Sequence, residues 1–138
     1  PFCGYNMGDY FAHWLEMGET GGDKMPRIFY VNWFRKDDKG KFVWPGFGEN
    51  SRVLKWVFER CTGETDAQET PIGLLPADGA LDTDGLDVSK ADMDVLMAVD
   101  VENWKAALPS IEKHFEQFGD DLPKGLHDEL EGLRKRLG

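Results

Sequence analysis

Residues 32–51 read NWFRKDDKGKFVWPGFGENS. Trp33, Phe34, Phe42, Trp44 and Phe47 surround a charged turn, and the stretch then runs into Gly46-Phe47-Gly48-Glu49-Asn50-Ser51. Aromatic side chains carry large apolar surfaces and are usually buried. Crowded beside glycines, they allow two readings: a hairpin feeding a core, or a slot for a flat ring. The stretch decides the fold because Asp37-Asp38-Lys39-Gly40 is a turn between two apolar runs, with Gly40 free to take positive φ. Residues 27–34 form a short, near-continuous apolar run, which predicts a strand buried on both faces. Residues 41–44 return as a second strand, and Pro45 ends it.

Outward from this hairpin the pattern becomes helical. Val53, Leu54, Trp56, Val57, Phe58 and Cys61 make a helix over 51–60 that is apolar around much of its circumference and so expected to be well buried. Asn50 or Ser51 suits its N-cap. Upstream, Tyr10, Phe11, Trp14 and Leu15 predict a helix over 6–17, stopped by Gly18 and followed by a loop to residue 23. Downstream, 71–75 reads as one more short strand, and 93–99 as a short helix. Residues 101–118 follow, with Pro109 starting a new helix or kinking one. A last helix over 121–137 sets Leu126, Leu130, Leu133 and Leu137 on one face, a packing stripe for a partner surface. The fold class is therefore mixed α/β, α+β in arrangement: a short-stranded hairpin packed with several α-helices, and a helical second half. Two portions are expected, 1–75 with the aromatic stretch and 76–138, acidic and mainly helical.

The chain has 138 residues and a formal net charge of −10. Residues 1–75 hold 9 Lys and Arg against 11 Asp and Glu, and 76–138 hold 7 against 15. This acidity argues against nucleic acid or an anionic membrane as partner, since phosphate surfaces need a basic face. Arg35, Lys36, Lys39 and Lys41 are the local exception, where a small anionic ligand is tolerable. No run of 18 apolar residues predicts a transmembrane helix. The opening Pro1-Phe2-Cys3-Gly4-Tyr5 has neither an initiator Met nor a basic region followed by an apolar one, and reads as a piece of a longer chain. Cys3 and Cys61 make no disulfide framework, fit a reducing, cytoplasmic setting, and are expected to be small buried hydrophobes.

Familiar motifs are incomplete. Residues 80–91 have the spacing of a calcium loop, but Ala80 and Ala91 stand where its first and twelfth ligands belong. His13, His114 and His127 are too scattered for a close metal-ligand pair. Gly46-Phe47-Gly48 is half of a glycine-rich phosphate loop, and no G-x-x-x-x-G-K-[ST] is present.

A purine needs two apolar faces and a polar group to read its edge. Base–aromatic stacking is worth about 1–3 kcal/mol per base. An Asn amide offers one acceptor and two donors, which suits guanine; adenine presents the opposite pattern at that edge. Phe34, Phe42, Phe47 and Asn50 have the right types and spacing for such a slot. Two parallel rings about 7 Å apart would leave room for a base.

Three stretches, PFCGYNMGDYFAHWLEMG (1–18), MPRIFYVNWFRKDDKGKFVWPGFGENSRVLKWVFER (25–60) and TPIGLLPADGALDTDGLD (70–87), together resemble the GTP-dependent phosphoenolpyruvate carboxykinases. The resemblance covers nearly the whole chain, is most specific over NWFRKDDKGKFVWPGFGENSRVL, and weakens after residue 92. It implies the C-terminal part of a much longer enzyme and its nucleotide-binding domain. That enzyme converts oxaloacetate and GTP to phosphoenolpyruvate, GDP and CO₂ in gluconeogenesis, in the cytoplasm, using Mn²⁺ and Mg²⁺, and is expected to be a monomer. By matched position, Phe34 and Phe47 sandwich guanine, Phe42 closes the pocket, Asn50 reads the base edge, and Phe2 borders the oxaloacetate/phosphoenolpyruvate cavity. The resemblance puts the phosphate loop, metal ligands and substrate-clamping arginines upstream, so this segment is expected to hold no catalytic residue, to be inactive alone, and to be able to self-associate. The rival expectation is a non-catalytic interaction module that uses the aromatic surface and the Leu126–Leu137 stripe.

Overall fold

The computed structural model describes residues 3–138. It is mixed α/β, in chain order α1 (Met7–Gly21), α2 (Asn50–Thr62), β1 (Ala67–Thr70), β2 (Gly73–Pro76), α3 (Lys90–Met97), α4 (Val101–Glu116) and α5 (Lys124–Leu137), with short 3₁₀ turns between. Two compact units result: Pro1–Pro26 with Asp100–Gly138, and Arg27–Val99.

In the first unit, α1 begins where the Asn6 side chain accepts from the Gly8 N–H at 2.7 Å. The Asn6 amide also donates to Asp121 at 2.5 Å. Gly8 is buried here, and a Cβ on it would lie 2.1 Å from the Asp121 carbonyl oxygen, so only glycine allows the approach. Gly18 does not stop α1. The helix runs on to Gly22, whose φ of 47° ends it while its N–H bonds the Gly18 carbonyl. Helix α4 is capped by Asp100 and continues through Pro109 as one element. Helix α5 starts later than the periodicity suggests, after Pro123. Leu130 and Leu137 are buried against Leu108, with Val101, Ile111, Phe115 and Leu133 around them. The leucine stripe thus has its packing partner inside the chain: α4 covers it, and it is not a free docking face. An Arg134–Glu112 ion pair ties the same two helices.

In the second unit, residues 27–34 form no strand. Exposure alternates with the period of two that a strand shows: Ile28 is 90% and Tyr30 97% exposed, while Phe29 meets Trp56 edge-on at 5.9 Å. The apolar run was legible, but a strand also needs a neighbour for its backbone groups, and the described residues supply none. The return strand over 41–44 is reduced to one antiparallel bridge, Lys36 with Phe42. The turn between them is as expected. Asp37 accepts from the Lys39 and Lys41 N–H groups at 2.9 and 2.8 Å, and Gly40 sits at φ 79°. The regular sheet is the hairpin β1–β2, paired Ala67 with Pro76 and Thr70 with Gly73.

Helix α2 is less buried than its composition suggests. Trp56 is buried, but Leu54 and Phe58 are exposed because nothing among the described residues packs on that side. Cys3 and Cys61 are exposed free thiols, not buried hydrophobes. Cys61 follows Trp56 by five residues, about 140° around the helix from the side that is covered. Helix α3 starts three residues earlier than its apolar pattern, because Ser89 and Asp92 form a reciprocal capping box. The Ser89 hydroxyl, then its backbone N–H, holds the Asp92 carboxyl below its ordinary 3.8. A lowered folded pKa means stability that is present above the ordinary value and is lost as pH falls through the folded one. Ser89→Ala is expected to move the Asp92 pKa back up toward 3.8 and so to start the acid loss of α3 at higher pH. An NMR titration of the Asp92 carboxyl checks this; an unmoved midpoint would contradict it.

Candidate functional site

The four predicted residues of the second unit fall at two places: Phe34 and Phe42 at the hairpin tip, and Phe47 and Asn50 at the entry to α2. The Asn32 side chain accepts from the Phe34 N–H at 3.0 Å, fixing the turn that carries that ring. Phe34 and Phe42 lie on the two arms of the tip, with centroids 6.0 Å apart and planes at 61°. The Lys36 ammonium sits 5.0 Å from the Phe42 centroid, a cation–π distance. Gly46, at φ 101°, turns the chain into the 3₁₀ segment Phe47–Glu49. Phe34 is 70% exposed, Phe42 51% and Phe47 97%.

The rings are therefore displayed, not packed, although they do not form a parallel pair. Phe34 and Phe42 adopt the edge-to-face arrangement that aromatic rings prefer when nothing lies between them. Among the described residues no ring contact joins Phe47 to either. Phe2 lies outside the described residues.

Asn50 is the first residue of α2, and the capping position is held by Glu49 without a side-chain bond. The Asn50 amide is turned to Trp44 instead: the buried indole N–H donates to Asn50 Oδ1 at 2.9 Å. Trp44 closes the predicted return strand over 41–44. A buried indole donor seeks an acceptor, and Asn50 six residues on is the signal that was available to find it.

Behind the site, Arg52 fastens the start of α2 to an acidic loop. It bonds Glu49 at 2.7 Å, the Asp82 carbonyl at 3.0 Å and the Asp84 carbonyl at 2.8 Å. The hydrogen bond to Glu49 raises the Arg52 pKa. The Asp84 N–H, with Lys55 and Arg52, holds the Asp82 carboxyl below its usual range. The segment that has calcium-loop spacing is thus engaged by two cations of α2, Arg52 and Lys55. His13, His114 and His127 instead neighbour aromatic rings.

A separate cleft of about 360 Å³ lies in the first unit, lined by Glu112, Phe115, Glu116, Gly119, His127, Leu130 and Glu131. Its three carboxylates suit no phosphate-bearing ligand. The exposed rings, the oriented amide and the lysines at residues 36–41 suit a planar base carrying negative charge.

The family described as phosphoenolpyruvate carboxykinase C-terminal P-loop domain matches residues 1–136. A protein named phosphoenolpyruvate carboxykinase [GTP] from Neocallimastix frontalis is 55% identical over 139 residues, covering 99% of this chain and 23% of its own. Proteins of the same name from Treponema pallidum (strain Nichols) and Renibacterium salmoninarum are each 50% identical over 139 residues. They cover 99% and 100% of this chain, and 22% and 23% of their own. The chain therefore spans less than a quarter of the length of these curated relatives.

Proposed function

The chain belongs to the phosphoenolpyruvate carboxykinase C-terminal P-loop domain family, and from that premise we propose that it serves as the guanine-holding part of a longer, GTP-dependent carboxykinase. The reaction of the whole is GTP-dependent conversion of oxaloacetate to phosphoenolpyruvate, GDP and CO₂, in gluconeogenesis and in the cytoplasm. Phe34 and Phe47 give the base its apolar faces, Phe42 borders it, and Asn50 reads its edge. Phe2 borders the oxaloacetate/phosphoenolpyruvate cavity.

The observation that carries this reading is the exposure of three phenylalanines in the stretch that also holds an amide capping no helix. Core aromatics would be covered, and a capping Asn would bond its own helix. The chain contributes positioning. Phosphoryl transfer depends on holding the nucleotide in line and neutralising charge, and anchoring the base directs the phosphates. Manganese and magnesium supply charge neutralisation in the whole enzyme. The described residues gather no three His, Cys, Asp or Glu side chains able to hold a metal ion, so this donor set does not fit a metal site and no step is assigned to one here. None of the described helices is long and apolar enough to cross a membrane. Two free thiols suit the reducing compartment.

Asn50→Ala in the intact carboxykinase is expected to raise the KM for GTP about 2- to 12-fold, the net worth of one hydrogen bond, with little change in kcat. Steady-state kinetics with varied GTP test it, and an unchanged KM would remove Asn50 from base recognition.

A further inference from the structure

We propose that Trp44 is a positioning residue that sets base selectivity by locking the orientation of the Asn50 amide; this rests on the base-pocket reading above. An indole N–H only donates. The Asn50 atom facing it at 2.9 Å must therefore be the oxygen. Trp44 is 6% exposed, so water cannot readily replace that acceptor. Flipping the amide would set NH₂ against N–H and leave the buried donor unsatisfied, which is unfavourable.

With Oδ1 held by Trp44, the Asn50 Nδ2 carries two N–H groups, and neither is used by another of the described residues. A group that only donates complements the 6-oxo oxygen of guanine. It opposes the 6-amino group of adenine, which also donates. An Asn free to flip would satisfy either base by presenting oxygen or nitrogen as needed. The locked one accepts only the oxo base. Selectivity thus originates in a residue that need not touch the nucleotide, six positions before the amide it orients.

The test uses the intact carboxykinase with GTP and ATP as alternative phosphoryl donors. Trp44→Phe keeps a ring and removes the N–H. It is expected to lower the GTP:ATP preference in kcat/KM about tenfold, mainly through the KM for GTP. In an Asn50→Ala background the same change should do nothing further, because there is no amide left to orient. Asn50→Asp keeps an acceptor for Trp44 but turns an oxygen to the base, so the preference should fall below that of Asn50→Ala as ATP gains. A Trp44→Phe enzyme that keeps its preference within about twofold while Asn50→Ala loses it overturns the role of Trp44. So does additivity of the two changes. If Asn50→Ala also keeps the preference, the base-pocket reading itself has failed. Should Trp44→Phe not fold, Asn50→Asp decides: retained wild-type preference refutes the locked amide.

Discussion

Truncating Phe47 to alanine is expected to leave the stability of the intact carboxykinase within about 0.5 kcal/mol of the parent and to weaken GTP binding by about 5- to 150-fold, the equivalent of 1–3 kcal/mol of stacking. The two halves come from one fact. Phe47 is 97% exposed, in a short 3₁₀ turn entered through Gly46 at φ 101°, so its ring packs on nothing among the described residues. A large apolar side chain left in water is unfavourable unless something flat covers it. Thermal unfolding and KM measurement on the same preparation separate the readings. Lost stability with unchanged KM would return Phe47 to packing against the rest of the protein and take the sandwich with it.

Leu130→Ala is expected to destabilise the first unit by about 2–5 kcal/mol, the usual cost of emptying a buried leucine site. The buried cluster there is Leu108, Leu130 and Leu137, so a void at Leu130 has few neighbours able to fill it. Urea unfolding followed by far-UV circular dichroism reads the change. Leu126→Ala, at a half-buried position of the same stripe, should cost less. Equal and small effects for both would mean that α5 is not held by this face.

The parts of the fold that were legible are those fixed by near neighbours. The Asp37–Gly40 turn needs one carboxylate and one glycine, and both are in the reading frame of the hairpin. Helix bodies announced themselves by apolar spacing, while their ends did not. Gly18 looked like a stop, but it stays helical, and the turn out of the helix falls to Gly22, whose positive φ of 47° only glycine takes readily. The start of α3 lay in a polar pair, Ser89 and Asp92, outside the apolar pattern. Strand β1, Ala-Gln-Glu-Thr, has no β-like composition and exists by pairing with β2. The converse holds at 27–34, where strand composition meets no pairing partner.

For the site, residue types and spacing left a core and a slot as alternatives, and the family resemblance put forward Phe34, Phe42, Phe47 and Asn50. The orientation of the Phe34 and Phe42 rings was not legible, because it depends on how the two arms of the tip pack; the bond from Trp44 to Asn50, six residues apart, left only the pairing of types as a signal.

Phe34 and Phe42 sit on opposite arms of a tip whose one bridge consists of the Val43 N–H to Arg35 and Asp37 N–H to Lys41 carbonyl bonds, with the turn closed by the Gly40, Lys39 and Lys41 N–H groups on Asp37. Elements held by so few bonds open at the low end of the local stability range. The spacing between the two rings is therefore compliant, like the jaws of a weak spring clip. Widening their edge-to-face spacing would flex a few backbone bonds and would not require unfolding a sheet. In the proposed pocket, that softness would let the hairpin part to admit a flat ring.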